Sequence, residues 1–131
     1  MRILFVCIEN AGRSQMAEAF AKEMAPPGCA VFSAGSKPAA CVHPIVAEAM
    51  LERGIDIRDK KPKGLGDLPV KSFDLAVGMG CGDACPVGLA KKMVSWDIPN
   101  PKGLSIESVR PIRDLIEEKV RSLLKELNLL P

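Results

Sequence analysis

Ile3-Leu4-Phe5-Val6 is an uninterrupted apolar run, and a chain that opens this way has few folds available to it. Side chains alternate between the two faces of a strand, so a run that is apolar at every position is buried on both, as in a parallel sheet covered by helices. The rest of the sequence supplies the helices. Ser14 to Ala25 puts Met16, Ala17, Phe20, Ala21 and Met24 on one stripe, leaves Glu18, Lys22 and Glu23 off it, and is stopped by Pro26-Pro27-Gly28. A second strand is predicted from Cys29 to Ala34, ended by Gly35. A second helix opens at His43-Pro44, turns Ile45, Val46, Ala49 and Met50 inward, runs to Arg53 and closes at Gly54. Asp56 to Pro69, which carries Arg58, Lys60, Lys61 and Lys63, reads as a solvated loop. Phe73 to Met79 and Met93 to Trp96 are predicted as the third and fourth strands. Ile106 to Leu127 has the apolar spacing of a strongly amphipathic helix, which Pro111 either kinks or begins. Strands alternating with helices predict right-handed crossovers and an α/β fold, with helices on both faces of a parallel sheet.

The 131 residues contain no Ser- or Gly-rich linker, so one domain covering residues 1–131 is expected. A net charge of +2, with acids and bases interspersed, argues against nucleic-acid and bilayer partners. No apolar run approaches the roughly 20 residues that span a membrane. Arg2 to Val6 resembles a signal peptide only in being apolar after a base, and a cytoplasmic protein is expected. Five cysteines, Cys7, Cys29, Cys41, Cys81 and Cys85, are an odd set whose spacing is unlike a secreted disulfide scaffold, so thiols at rest are expected. Cys29 and Cys41 read as packing or incidental residues. No cofactor is called for.

The chemistry concentrates where the first strand ends. Cys7-Ile8-Glu9-Asn10-Ala11-Gly12-Arg13-Ser14 joins that strand to the first helix. The N–H groups of such a loop and of the first helical turn have no intrahelical carbonyl to bond, so they can converge on an anion. Arg13 adds a planar fork of donors suited to two oxygens, and Gly12 allows close backbone approach. The same donors and the positive end of the helix favour thiolate at Cys7, a nucleophile beneath the anion. Ser14 can cap the helix or bond that thiolate. Residues 8 to 14 are therefore predicted to bind a tetrahedral oxyanion, at the carboxyl end of a strand where such sheets bind ligands.

Cys7-x5-Arg13-Ser14, followed by Gln15-Met16-Ala17-Glu18 and by Ser33-Ala34-Gly35, resembles the low-molecular-weight protein tyrosine phosphatase superfamily. More narrowly, it is similar to the thioredoxin-coupled arsenate reductases built on that fold. The resemblance covers nearly the whole chain and implies three α/β/α layers around a four-stranded parallel sheet. Arsenate would be the substrate and arsenite the product. Gly80-Cys81-Gly82-Asp83-Ala84-Cys85-Pro86 favours reductase over phosphatase, because phosphoryl transfer needs one cysteine and reduction of As(V) needs two electrons from thiols. The resemblance implies that Cys7 attacks arsenic, Cys81 attacks Cys7, Cys85 takes over to form Cys81–Cys85, and thioredoxin reduces that disulfide. In a helix the two Cβ atoms would stand about 5 to 6 Å apart, beyond the ~3.5 to 4.5 Å of a disulfide, so the segment would deform on oxidation. The three residues between Cys81 and Cys85 are fewer than in relatives with a better-described relay.

Two departures matter. Aligned from Trp96, the Asp-Pro that supplies the general acid in relatives falls on Asn100-Pro101, which leaves Asp97 as the nearby carboxylate and the candidate acid. Glu9 brings a negative charge to an anion loop, where it either faces solvent or pairs with a Lys or Arg. Asn10 is expected to brace the loop with its amide. Some relatives hold potassium near this asparagine through oxygens equivalent to those of Glu18 and Ser33; where they carry another carboxylate this chain offers Lys63, a solvated lysine or a stand-in for the ion. His43, the single histidine, reads as a cap or surface residue. Two alternatives stay open: a phosphomonoesterase with a phosphocysteine at Cys7, and a non-catalytic oxyanion or metal-binding regulator. A soft-metal site could combine Cys81 and Cys85 with Cys41 and His43.

Overall fold

The computed structural model describes residues 1–80 and 88–130. Its elements in chain order are β1 (Arg2–Cys7), α1 (Arg13–Met24), β2 (Ala30–Gly35), α2 (Pro44–Leu51), a 3-10 turn (Leu65–Asp67), β3 (Phe73–Gly78), β4 (Ala90–Ser95) and α3 (Ile106–Glu126). The four strands form one sheet in the order β2-β1-β3-β4, and each pairing is parallel. β1 is central. The chain steps from it to β2 on one side, and β3 lies on the other, so the strand order reverses at the carboxyl end of β1, where Cys7 stands.

Pleating separates the two faces of β1. Ile3, Phe5 and Cys7 join Leu75 and Val77 of β3 beneath the inward stripes of all three helices, represented by Phe20, Met50 and Ile116. Leu4 and Val6 turn the other way and pack with Ala34, Phe73 and Ala76 under Phe32, Leu65 and Leu68. Each of the four residues from Ile3 to Val6 is fully buried, the condition inferred from their apolarity.

Predicted boundaries are corrected at several points. Asp56 to Pro69 is not all loop, since it contains the 3-10 turn and a parallel bridge from Gly64 to Gly35. β4 begins at Ala90 rather than Met93; Lys91 and Lys92 are exposed on an edge strand, which masks the strand in an apolarity count. α3 starts at Ile106 and runs through Pro111, which therefore does not mark its start. α2 stops at Leu51, and Gly54, with φ of 76°, closes the turn so that Ile55 N–H reaches the Met50 carbonyl at 3.1 Å. Among the described residues, no helix is long and apolar enough to cross a membrane.

Candidate active site

The loop between β1 and α1 is shaped by where its carbonyls go. Ser36 N–H donates to the Cys7 carbonyl, Lys37 to Ile8, Ala39 to Glu9, and His43 to Ala11, at 2.8–3.3 Å. Every donor belongs to the segment between β2 and α2. These four carbonyls are engaged by the segment between β2 and α2, and among the described residues no N–H from residues 9 to 14 donates to a carbonyl in the surrounding loops. Gly35 permits the close approach: a Cβ there would lie 2.5 Å from the Ile8 carbonyl oxygen and 2.9 Å from Asn10 N. Gly12 caps α1, so Ser14 is not spent as a cap.

Ser14 Oγ instead lies 2.8 Å from Cys7 Sγ. Asn10 Nδ2 donates to Ser14 Oγ at 2.7 Å, so the serine hydroxyl ties Cys7 to the Asn10 side chain. Asn10 has φ of 51°, in the left-handed region that asparagine tolerates better than most residues, and uses its whole amide. Its other N–H goes to Ser33 Oγ at 3.0 Å, while its oxygen accepts from Gln15 Nε2 at 3.1 Å and Lys63 N–H at 2.9 Å. Ser33 Oγ then donates to Glu18 Oε1 at 2.7 Å. Asn10, Ser14, Gln15, Glu18 and Ser33 are all buried, and no described buried side-chain polar atom lacks a partner. Glu18, although buried, is ionically matched by Lys22 at 3.1 Å and Lys63 at 3.9 Å.

Above this network is a cleft of about 40 Å³, lined by Cys7, Ile8, Glu9, Gly12, Arg13, His43 and Asn100. Its size is that of a small inorganic anion, well below the several hundred Å³ of drug-sized ligand sites. Arg13 is buried, and its Nη1 donates to the Ile98 carbonyl at 3.1 Å. Its guanidinium also lies against Gly80, whose φ is 93°, so closely that a Cβ there would collide with Nη1. Pro101 closes another side, with Cγ 3.0 Å from where a Cβ on Gly12 would stand. Glu9 is paired, since Lys102 Nζ donates to Oε1 at 2.8 Å and holds that carboxyl below the usual carboxylate range.

The expected site residues 7 to 14 thus come together, and the signal for them was local. Asn100 lines the cleft, whereas Asp97 is exposed and outside its lining. His43 stands at the N-cap position of α2, the cap reading expected, without a side-chain cap bond; it is also half-buried and lines the cleft. Lys102 carries no motif signal, and Gly35, although part of the Ser33-Ala34-Gly35 motif, does not reveal its contact with the loop, because both contacts join segments far apart in sequence. Lys63 is partly buried, its ammonium on the Glu18 side of the network rather than free in solvent. Cys29 is half-buried, with burial pushing its thiol up, and Cys41 is exposed. Cys81 and Cys85 lie outside the described residues, as does the soft-metal set built on them. Among the described residues no group of three or more His, Cys, Asp and Glu could hold a metal ion.

Relatives resemble this chain along most of its length. The glutaredoxin arsenate reductase of Synechocystis is 32% identical over 97% of this chain and 98% of its own length. The structure of a thioredoxin-dependent arsenate reductase from Corynebacterium glutamicum superposes with a TM-score of 0.81 at 38% identity, covering 98% of this chain. This chain spans 62% of that protein's length. The arsenate reductase of Archaeoglobus fulgidus superposes with a TM-score of 0.80 at 35% identity, over 94% of this chain and 98% of that one. The low molecular weight phosphotyrosine protein phosphatase family matches residues 2–129, from the first strand to the end of the last helix, and the chain belongs to that family.

Proposed function

We propose that this protein is an arsenate reductase in which Cys7 is the nucleophile, residues 8 to 14 bind the oxyanion, and Cys81 and Cys85 carry the electrons out to thioredoxin. The carrying observation is the Asn10–Ser14–Cys7 set of contacts beneath a loop whose Cys7, Ile8, Glu9 and Ala11 carbonyls accept from residues 36–43. A nucleophile braced by Ser14 below, with Arg13 and the start of α1 above it, suits attack on a bound oxyanion.

In the first step the Cys7 Sγ–As bond forms and one As–O bond breaks, with the departing oxygen leaving as water once protonated; arsenic remains As(V). Cys81 thiolate then attacks Cys7 Sγ. The S–As electron pair passes to arsenic, which leaves as As(III) arsenite, and a Cys7–Cys81 disulfide remains. Cys85 thiolate attacks the Cys81 sulfur, releases Cys7 as thiolate and forms Cys81–Cys85, which a thioredoxin dithiol reduces. Two thiols are oxidised for one arsenic reduced by two electrons. Gly80, against the Arg13 guanidinium and immediately before Cys81, supports an attack from this side of the cleft. The exposure of Asp97 leaves it without a supported acid role, and the reducing cytoplasm suits a cycle that starts from free thiols.

The test is NADPH oxidation with arsenate, thioredoxin and thioredoxin reductase, run beside glutathione with glutaredoxin and beside an aryl phosphate. Arsenate-dependent turnover that needs Cys7 and Cys81 and runs on thioredoxin is expected. Turnover on glutaredoxin alone would overturn the named reductant, and hydrolysis of the phosphate ester alone would replace the reductase by a phosphatase. Disulfide mapping after one turnover that joined Cys7 to Cys29 or Cys41 would reassign the relay.

A further inference from the structure

The first step just described needs a proton for the departing oxygen, and the groups on the cleft narrow its source. Arg13 stays charged throughout the working pH range and Asn100 cannot serve as an acid. Glu9 is held ionised by Lys102. Ser14 Oγ is engaged by Cys7 Sγ and Asn10 Nδ2 and is outside the lining. Asp97, the carboxylate nearest in sequence, is exposed and outside the lining. Among the described residues, His43 remains.

His43 is held in place by its backbone rather than by its ring. Its N–H donates to the Ala11 carbonyl of the anion loop at 3.0 Å, and its carbonyl accepts from Val46 and Ala47 at 3.0 and 3.1 Å at the start of α2. Pro44 follows at the first helical position. Cδ2 of the imidazole lies 3.6 Å from the Cβ position of Gly12, which puts the ring edge over the anion loop. Among the described residues the ring makes no hydrogen bond, and histidine is the side chain that ordinarily exchanges a proton near neutrality.

We propose that His43 is the proton donor of this cleft, protonating the oxygen that leaves arsenic as Cys7 attacks. The inference rests on the reductase reading for its substrate. As the Sγ–As bond forms, the electron pair of the breaking As–O bond stays on oxygen, the imidazolium proton transfers to it, water departs, and neutral imidazole remains to be reprotonated from solvent. Among the described residues, the charged and titratable groups around the ring are Cys7 at the end of β1, Glu9 on the loop, Arg13 at the start of α1, and Lys102 on the segment between β4 and α3. The donating form is the imidazolium.

The test is the rate of first-turnover arsenite release from the fully reduced protein without external reductant, between pH 5.5 and 9, for unaltered protein and for His43→Asn and His43→Gln. Loss of a general acid is expected to slow the step by about 100-fold or more at neutral pH, with the descending alkaline limb absent from both variants. Phosphate binding, read from the melting shift it produces, is expected to stay within about twofold, since Arg13 and the loop are untouched. Variants that keep the limb, that lose little rate, or that lose phosphate affinity as much as rate would overturn the role. If unaltered protein releases no arsenite, the reductase reading fails, and the same pH comparison on 4-nitrophenyl phosphate hydrolysis then judges His43. Silence with both substrates overturns both.

Discussion

Gly35→Ala makes a sharp test, because one methyl group meets only backbone. A Cβ there would stand 2.5 Å from the Ile8 carbonyl oxygen, 2.9 Å from Asn10 N and 3.0 Å from the Glu9 carbonyl carbon, where ordinary contact begins at 3.4 Å. None of these atoms belongs to a flexible side chain that could swing aside. The loop and β2 must therefore separate by about 0.9 Å at the Ile8 carbonyl, a shift on the scale that costs roughly 100-fold when reacting groups are misplaced. Overpacking of this kind typically destabilises by about 1–3 kcal/mol. The displacement falls on the loop that presents N–H groups to the anion, so rate should fall further than stability alone explains. Gly66→Ala is the control, since a Cβ there meets nothing within 4 Å. Arsenate turnover and thermal melting should be measured for both. The cradle argument is refuted if Gly35→Ala turns over arsenate like the unaltered protein, or loses activity only in proportion to the fraction unfolded.

Three further outcomes are expected. Ser14→Ala removes the hydroxyl that contacts Cys7 Sγ, and alkylation of Cys7 by iodoacetamide near neutral pH should slow by about tenfold, as loss of a hydrogen bond to charged sulfur of roughly 1.5–3 kcal/mol implies; an unchanged rate would mean the contact does not support the nucleophile. Lys63→Met leaves buried Glu18 with Lys22 alone and should lower the melting temperature by several degrees, while unaltered protein should melt identically in potassium and sodium chloride. Arg110 and Arg113 lower the Glu52 carboxyl to about 2, and Arg58 does the same to Asp56. Because these folded values lie below the unfolded ones, their stabilisation is full above about pH 4.5 and is lost as pH falls toward about 2; Glu52→Gln should flatten that part of a melting-temperature profile.

The parts of the fold legible in the sequence are those in which one segment carries its own evidence. Ile3 to Val6 announced a two-sided strand, and Cys7 to Ser14 announced an anion loop because nucleophile, glycine and arginine sit within eight residues. β4 was read short because its outward lysines obey no core periodicity. Pro111 was overweighted: it removes one N–H from a 21-residue helix whose inward residues, Val109 and Ile112 to Leu124, anchor it regardless. His43 was legible as the cap of α2 but not as a cleft residue. Nothing local to His43-Pro44 reveals that its N–H is tied to Ala11, more than 30 residues earlier, and that bond is what brings the ring to the cleft. Lys102 meets Glu9 for the same long-range reason.

The bonds from residues 36–43 to the carbonyls of residues 7–11 also bear on how such a site could be moved between proteins. Copied alone into another scaffold, Cys7 to Ser14 would arrive with carbonyls unpaired and free to turn inward, offering acceptors where donors are needed. The transferable unit is two crossing pieces of chain, β1 through α1 together with the end of β2 and its exit segment. A designer would have to graft both, just as a lineage that drifts in residues 36–43 alters the anion loop without changing a letter of its motif.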